Sequence, residues 1–273
     1  MRQFLLRLVL IIGLFTLVLS IILAGNYWRQ TLFVKGQHSR TIVLGDSHAT
    51  NGFNPFYYPS SSNFAQTAEP LIATAKKIEW IATHLEADSI LLILSPNNIA
   101  GYNETKFSAG RTAKQMAKRY FSLFDYSYWT SQTDYIAAYW HWAREFIVPD
   151  LSGKHSFLGS YKVTKGKSKE GYKKIIARHF NPNLPALSES SIYAISEITK
   201  TCNQYGITLR VIEAPLLPEY RVRIPPEVQA AFDKLLLTLP VKSYTFKPNS
   251  ELFFNSDHLN EEGARLFTQA ISN

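Results

Sequence analysis

"TIVLGDSHAT", residues 41–50, decides how the chain is read. Thr41 to Leu44 are apolar or β-branched and stop at Gly45, the pattern of a short buried strand. Three polar side chains follow at once: Asp46, Ser47 and His48. A tight turn needs the glycine and accepts the aspartate. It gives no reason for a serine beside a histidine. Two readings stay open here: a nucleophilic serine displayed at a strand end, or an ordinary turn serine.

Strands and helices alternate outward from this point. "PLIATAKKIEWIATHLE" (70–86) spaces Leu71, Ala75, Ile78, Ala82 and Leu85 by three and four residues, which predicts a helix opened by Pro70. "SILLILS" (89–95) predicts a second buried strand, ending in Pro96-Asn97-Asn98. A helical pattern covers 187–204, "ITLRVIEAP" (207–215) a third strand, and 228–238 another helix. The last helix, 260–272, has Asn260 as N-cap and Glu261 and Glu262 at the positive end of its dipole. This alternation predicts an α/β fold: a three-layer α/β/α domain with a parallel sheet. Ligand sites in such folds lie at the carboxyl ends of strands, where Ser47 and Asn97 fall.

Residues 101–185 interrupt the alternation and are too long for a simple connection. The first part is aromatic (120–146), with Trp140-His141-Trp142 at its centre. Mixed spacing suits the core of a helical subdomain. A lid, a sugar-stacking surface carrying Trp140 and Trp142, or contact with a bilayer are the functional alternatives. The second part, 161–178, is basic, and residues 101–179 as a whole hold 14 Lys or Arg against 6 Asp or Glu. That excess of +8 equals the net charge of the whole chain, so the insertion carries the basic balance. It reads as a solvated face or as an attractor of acidic polymers or anionic lipids.

Leu8 to Ala24 is an uncharged run of 17 residues, preceded by Arg2 and Arg7 and followed by Tyr27 and Trp28. Length and flanks predict a single membrane crossing with the N-terminus inside, in preference to a cleaved signal peptide. The expected organisation is an anchor at 1–25, a juxtamembrane linker at 26–39 and one extracytoplasmic domain at 40–273. The chain is 46% hydrophobic and 18% charged, as a folded protein is. Cys202 is the single cysteine, so an internal disulfide and a cysteine zinc cluster are excluded. The seven histidines show no ligand-spaced pair, so neither a metal nor another cofactor is expected. Nucleic acid is not an expected partner either, because no recognition motif is present.

A serine hydroxyl needs a base, and the oxyanion it creates needs donors. "NSDHLNEEGARLF" (255–267) supplies His258 before a helix, with Asn255 and Asp257 close by. "NFAQTAEP" (63–70) and "SPNN" (95–98) offer donors after or between strands. These four stretches, in this order, resemble the SGNH hydrolase (GDSL-type esterase) superfamily over about residues 40–100 and 187–273. The resemblance implies Ser47 as nucleophile and His258 as general base. It implies an oxyanion hole from Ser47 N–H, the N–H at Ala68, where glycine is usual, and the Asn97 amide. The family's acid, three residues before the histidine, is replaced by Asn255. Either Asn255 orients His258, or Asp257 serves, or the site binds without turnover. His48 is a candidate substrate contact or a loop histidine satisfied by its neighbours.

"GDSH" with "DHLNEEGA" behind one apolar N-terminal segment is similar to membrane-anchored SGNH-like proteins of bacterial envelopes. That branch includes the D-alanine-transfer proteins of teichoic acid modification and the alginate-acetylation proteins. The resemblance implies acyl chemistry on an envelope polysaccharide beside a multi-pass membrane O-acyltransferase. The rival expectation is a worn SGNH-like domain that binds glycan or scaffolds such a partner.

Overall fold

The computed structural model describes residues 1–107, 110–132, 135–147, 153–168 and 170–272. Among them the strands are β1 (Thr41–Gly45), β2 (Ser61–Asn63), β3 (Ser89–Leu94) and β4 (Thr208–Glu213). They form a parallel sheet in the order β2-β1-β3-β4. The helices are α1 (Arg2–Lys35), α2 (Ser47–Gly52), α3 (Leu71–His84), α4 (Gly110–Tyr120), α5 (Tyr126–Gln132) and α6 (Tyr135–Ile147). After these come α7 (Tyr172–His179), α8 (Glu189–Gln204), α9 (Pro218–Arg221), α10 (Pro226–Leu236) and α11 (Glu261–Ser272).

Alternation along the strands sorts the core. Ile42, Leu44, Ile90 and Leu92 join one apolar cluster, which contains Ile78 and Ile81 of α3 and Ile195 and Ile198 of α8. Val43, Leu91, Ile93 and Ile212 join a second cluster with Phe53, Leu259 and Phe267. Helices α3 and α8 pack on each other, as do α2 and α11. Successive side chains of a strand point to opposite faces, so both faces of this sheet are apolar and covered.

β2 is the strand that its sequence hides, since Ser-Ser-Asn carries no apolar signal. It is held by its register on β1, Thr41 to Ser61 through Val43 to Asn63. Asn63 then donates to the carbonyls of Ala49 and Phe53 at 2.8 Å, tying β2 to α2. α1 continues as helix through most of the stretch read as linker, because no glycine or proline breaks it between Asn26 and Lys35. The chain has one helix long and apolar enough to cross a membrane, among the described residues. The described residues of the 101–185 insertion include the short helices α4 to α7, with α4 and α5 both packed on α6.

One buried ion pair joins the insertion to the sheet domain. Lys77 Nζ donates to Glu69 and, at 2.9 Å, to the Phe64 carbonyl. Glu69 also accepts from Thr74 and from Tyr120 of α4, each at 2.8 Å. Both charged side chains are fully shielded from solvent. Removing one partner strands the other charge. Lys77→Met is therefore expected to lower stability by about 3–5 kcal/mol in denaturant unfolding, with part of the loss recovered in Lys77→Met/Glu69→Leu. A single variant as stable as the parent would contradict this.

Candidate active site

The turn after β1 is built by two residues. Gly45 has φ +138°, and a Cβ there would sit 2.6 Å from the Ile93 carbonyl oxygen. Only glycine lets β1 end so close to β3 and turn sharply. Asp46 caps α2 by accepting from His48 N–H at 2.9 Å. Ser47 is thereby the first residue of α2, where helix geometry gives its N–H no partner within the helix.

His258 arrives from the opposite end of the sequence. Phe253 pairs with Leu259 in an antiparallel bridge, and Phe254 N–H donates to the His258 carbonyl at 2.9 Å. Asn255 to His258 form the tip of this tight turn. Asn255 Oδ1 accepts from the N–H groups of Asp257 (3.2 Å) and His258 (2.7 Å). Asn260 caps α11 beyond it, accepting from Gly263 N–H at 2.9 Å.

These two constructions meet: His258 Nε2 lies 2.7 Å from Ser47 Oγ. At the other side of the ring, Nδ1 faces two acceptors. Asn255 Oδ1 lies at 3.2 Å and takes the hydrogen bond. Asp257 Oδ1 is closer, at 3.0 Å, but off the N–H direction, so it acts as a charge beside the ring. Neighbouring side chains diverge in an extended segment. Here the bend at 254–258 turns Asp257 and His258 to the same place.

Asp257 is 1% exposed and ringed by imidazoles. His258 lies at 3.0 Å, His48 Nε2 at 3.6 Å and His179 Nδ1 at 3.9 Å. Burial raises its pKa; the three imidazoles outweigh that and hold it well below the carboxylate range. Burial also opposes charge on His48, but Asp46 and Asp257 outweigh it and raise its pKa. Burial pushes His179 down to about 3, so it is neutral. Its Nδ1 lies 2.7 Å from Tyr220 OH.

His48 is not at a substrate surface. It is 5% exposed, bonded through Nδ1 to Asp46 at 2.9 Å, and stacked on His258 with ring centroids 4.9 Å apart. The oxyanion role expected of Asn97 also fails on geometry. Its Nδ2 donates to Asp46 Oδ2 (3.1 Å) and to Tyr102 OH (3.2 Å), so both amide hydrogens are committed. A buried Asp46 draws in Asn98 Nδ2 as well, at 2.9 Å. Burial raises the Asp46 pKa, and His48 with Lys106 more than reverses this. Trp140 and Trp142 are not gathered at the serine. Trp142 stacks on Phe121 inside the insertion, and Trp140 is 60% exposed beside Tyr139.

Ala68 sits on an exposed turn closed by Glu69 N–H to the Gln66 carbonyl at 3.1 Å. Its φ of +61° is the left-handed conformation that glycine adopts at least cost. The basic segment after Gly159 borders the same region. Lys162 N–H donates to the Thr50 carbonyl at 2.7 Å, and Thr164 accepts from Glu261 N–H at 2.9 Å.

His48, Asp257 and His258 place three donor atoms within 4.8 Å of one another, a closeness that a metal ion could use. The two rings are only 17° from parallel, however. Stacked rings are badly placed to aim both in-plane lone pairs at one ion about 2 Å away. The arrangement suits proton transfer better. No family model matches the chain, and none of the curated proteins matches it.

The site predicts its own acid lability. Between pH 6.5 and about 3, unfolded His179 binds a proton that folded His179 does not, so stability falls as pH falls. His48 works oppositely: its raised value adds stability below pH 6.5 that is lost as pH rises through its folded value. The depressed Asp46 and Asp257 add stability that is lost only in stronger acid, below 3.8. His179→Gln should flatten the decline below pH 6.5 by up to about 1.4 kcal/mol per pH unit in denaturant titrations. Equal slopes in parent and variant would contradict the assignment.

Proposed function

We propose that this chain is a serine acyl-transferring enzyme of the SGNH type, with Ser47, His258 and Asp257 as its working groups. The observation that carries the reading is the 2.7 Å contact between Ser47 Oγ and His258 Nε2, with a buried carboxylate beside Nδ1. His258 takes the hydroxyl proton as Oγ bonds to the acyl carbon of an ester. Asp257 stabilises the imidazolium, and Asn255 Oδ1 fixes the ring and its tautomer. The ester C–O bond then breaks, and His258 returns the proton to the leaving oxygen. Water or a sugar hydroxyl next attacks acyl-Ser47 by the same route, giving hydrolysis or transfer. The oxyanion is assigned to Ser47 N–H and Ala68 N–H, each such donor being worth on the order of 3 kcal/mol.

The two apolar clusters that share the strands support a three-layer α/β/α domain. α1 is read as a single-pass anchor in a bacterial cytoplasmic membrane, N-terminus inside, with the domain in the periplasm or outside the cell. The proposed substrate is an O-acylated, by default acetylated, envelope polysaccharide, and the proposed partner a multi-pass membrane O-acyltransferase. The committed Asn97 amide is what favours the second reading, a degenerate domain that binds glycan without turnover.

Turnover of an acetyl-ester chromogen by the full chain in detergent separates the two. Ser47→Ala should fall to background. Asp257→Ala should lose about 10²–10⁴ in kcat, following the cost of losing the acid in serine proteases. Asn255→Asp should stay within about tenfold of the parent, since it keeps an acceptor at Nδ1 and adds charge. Turnover that survives Ser47→Ala, or none in the parent, would count against the enzyme.

A further inference from the structure

α1 has 34 residues and so is about 51 Å long, while its apolar run Leu8–Ala24 spans about 25 Å. One face of its outer half is partly covered: Leu19, Ile22, Leu23, Asn26, Gln30 and Phe33, at spacings of three and four. α6 packs against α1, and the Gly153 backbone lies on the Arg29 carbonyl. Leu19, Ile22 and Leu23 belong to the apolar run itself. Leu19 lies about 8 Å short of its end. The insertion therefore packs against α1, with its located contact at Arg29, five residues past the apolar run.

α6 turns Ala138 inward, while Ala143 is the buried member of the opposite stripe, where Tyr139 also touches Phe121. Its other side exposes Ile136 (66%), Tyr139 (41%) and Trp140 (60%), residues at i, i+3 and i+4. Exposed Arg144 continues the stripe one turn further on. α1 exposes Tyr27 (72%) and Trp28 (64%) just past the apolar run. Tyrosine and tryptophan are the side chains that settle at a membrane–water boundary, and an interfacial helix buries its apolar face about 5–10 Å deep. α4, which packs on α6, exposes Arg111 and Lys114, which suit anionic headgroups.

We propose that α6 is an interfacial helix, with Ile136, Tyr139 and Trp140 seated at the headgroup–acyl boundary of the leaflet where α1 emerges. The occupant of this face is the bilayer. The proposal rests on α1 as the anchor and is independent of the serine chemistry. With α1 and α6 both held, the domain loses the swivel that a lone helix would leave it.

Nitroxide labels test this on the full chain reconstituted in phosphatidylglycerol–phosphatidylethanolamine vesicles. Trp140→Cys and Ile136→Cys are labelled separately, each with the buried Cys202 changed to alanine. Leu14→Cys reports the anchor, and Leu237→Cys, at an 88% exposed position, reports water. The ratio of oxygen to nickel-chelate accessibility at 140 and 136 should be several-fold above that at 237 and below that at 14. Water-like ratios at 140 and 136, with position 14 still buried in lipid, would overturn the seat and keep the anchor. Water-like ratios at 14 as well would overturn both. Dipolar broadening between labels at 140, without lipid-like accessibility, would assign the face to a second copy and also overturn the proposal.

Discussion

A carboxylate sealed from water must be compensated, and Asp257 is the one on which the candidate site depends. Taking a charge out of water costs several kcal/mol unless opposite charge or polar hydrogens stand close. Three imidazoles stand within 4 Å of Asp257, and they come from three distant parts of the chain. His48 comes from the turn after β1, His179 from the end of α7 in the insertion, and His258 from the turn before α11. The sheet end and the C-terminal turn thus meet at one buried charge, with the neutral His179 of the insertion packed beside it. Ser47 needs no contact of its own with Asp257, because His258 spans the two.

A second buried carboxylate carries the other half. Asp46 caps α2, bonds His48, and draws the amides of Asn97 and Asn98 off the end of β3. His48 lies between the two acids, and its raised pKa follows from that position. The histidine beside the serine is thus explained without a substrate: it is a buried brace, bonded to Asp46, against which the ring of His258 stacks. The same demand explains why Asn97 is withdrawn from the serine. Asp46 is buried and holds one of the Asn97 amide hydrogens, and Tyr102 OH takes the other.

Much of this was legible in the residues, for physical reasons that also mark the limits. β1 and β3 announce themselves because strands covered on both faces are continuously apolar or nearly so, and β4 through its buried Leu209, Val211 and Ile212. β2 does not, being three polar residues held by register alone. The pairing of Ser47 with His258 is legible through the resemblance of the four stretches, with the serine after a strand and the histidine before a helix. The position of Asp257 was not, since it depends on a bend that Asn255 Oδ1 organises through two backbone N–H groups. Nothing local to His179 distinguishes it from a solvated histidine in a basic stretch. Only the fold of the insertion brings it beneath Asp257. The length of α1 is not legible in the apolar run, because such a run ends where hydrophobic side chains end, not where the helix does.

The most direct measurement is the rate at which a fluorophosphonate labels the chain, with the adduct located by peptide mass, in the parent and in Asp257→Asn. A triad resting on Asp257 predicts a single adduct on Ser47, formed on the order of 10²–10⁴ times more slowly in the variant. An adduct elsewhere, no adduct in the parent, or labelling of Ser47 at an undiminished rate in Asp257→Asn would contradict it.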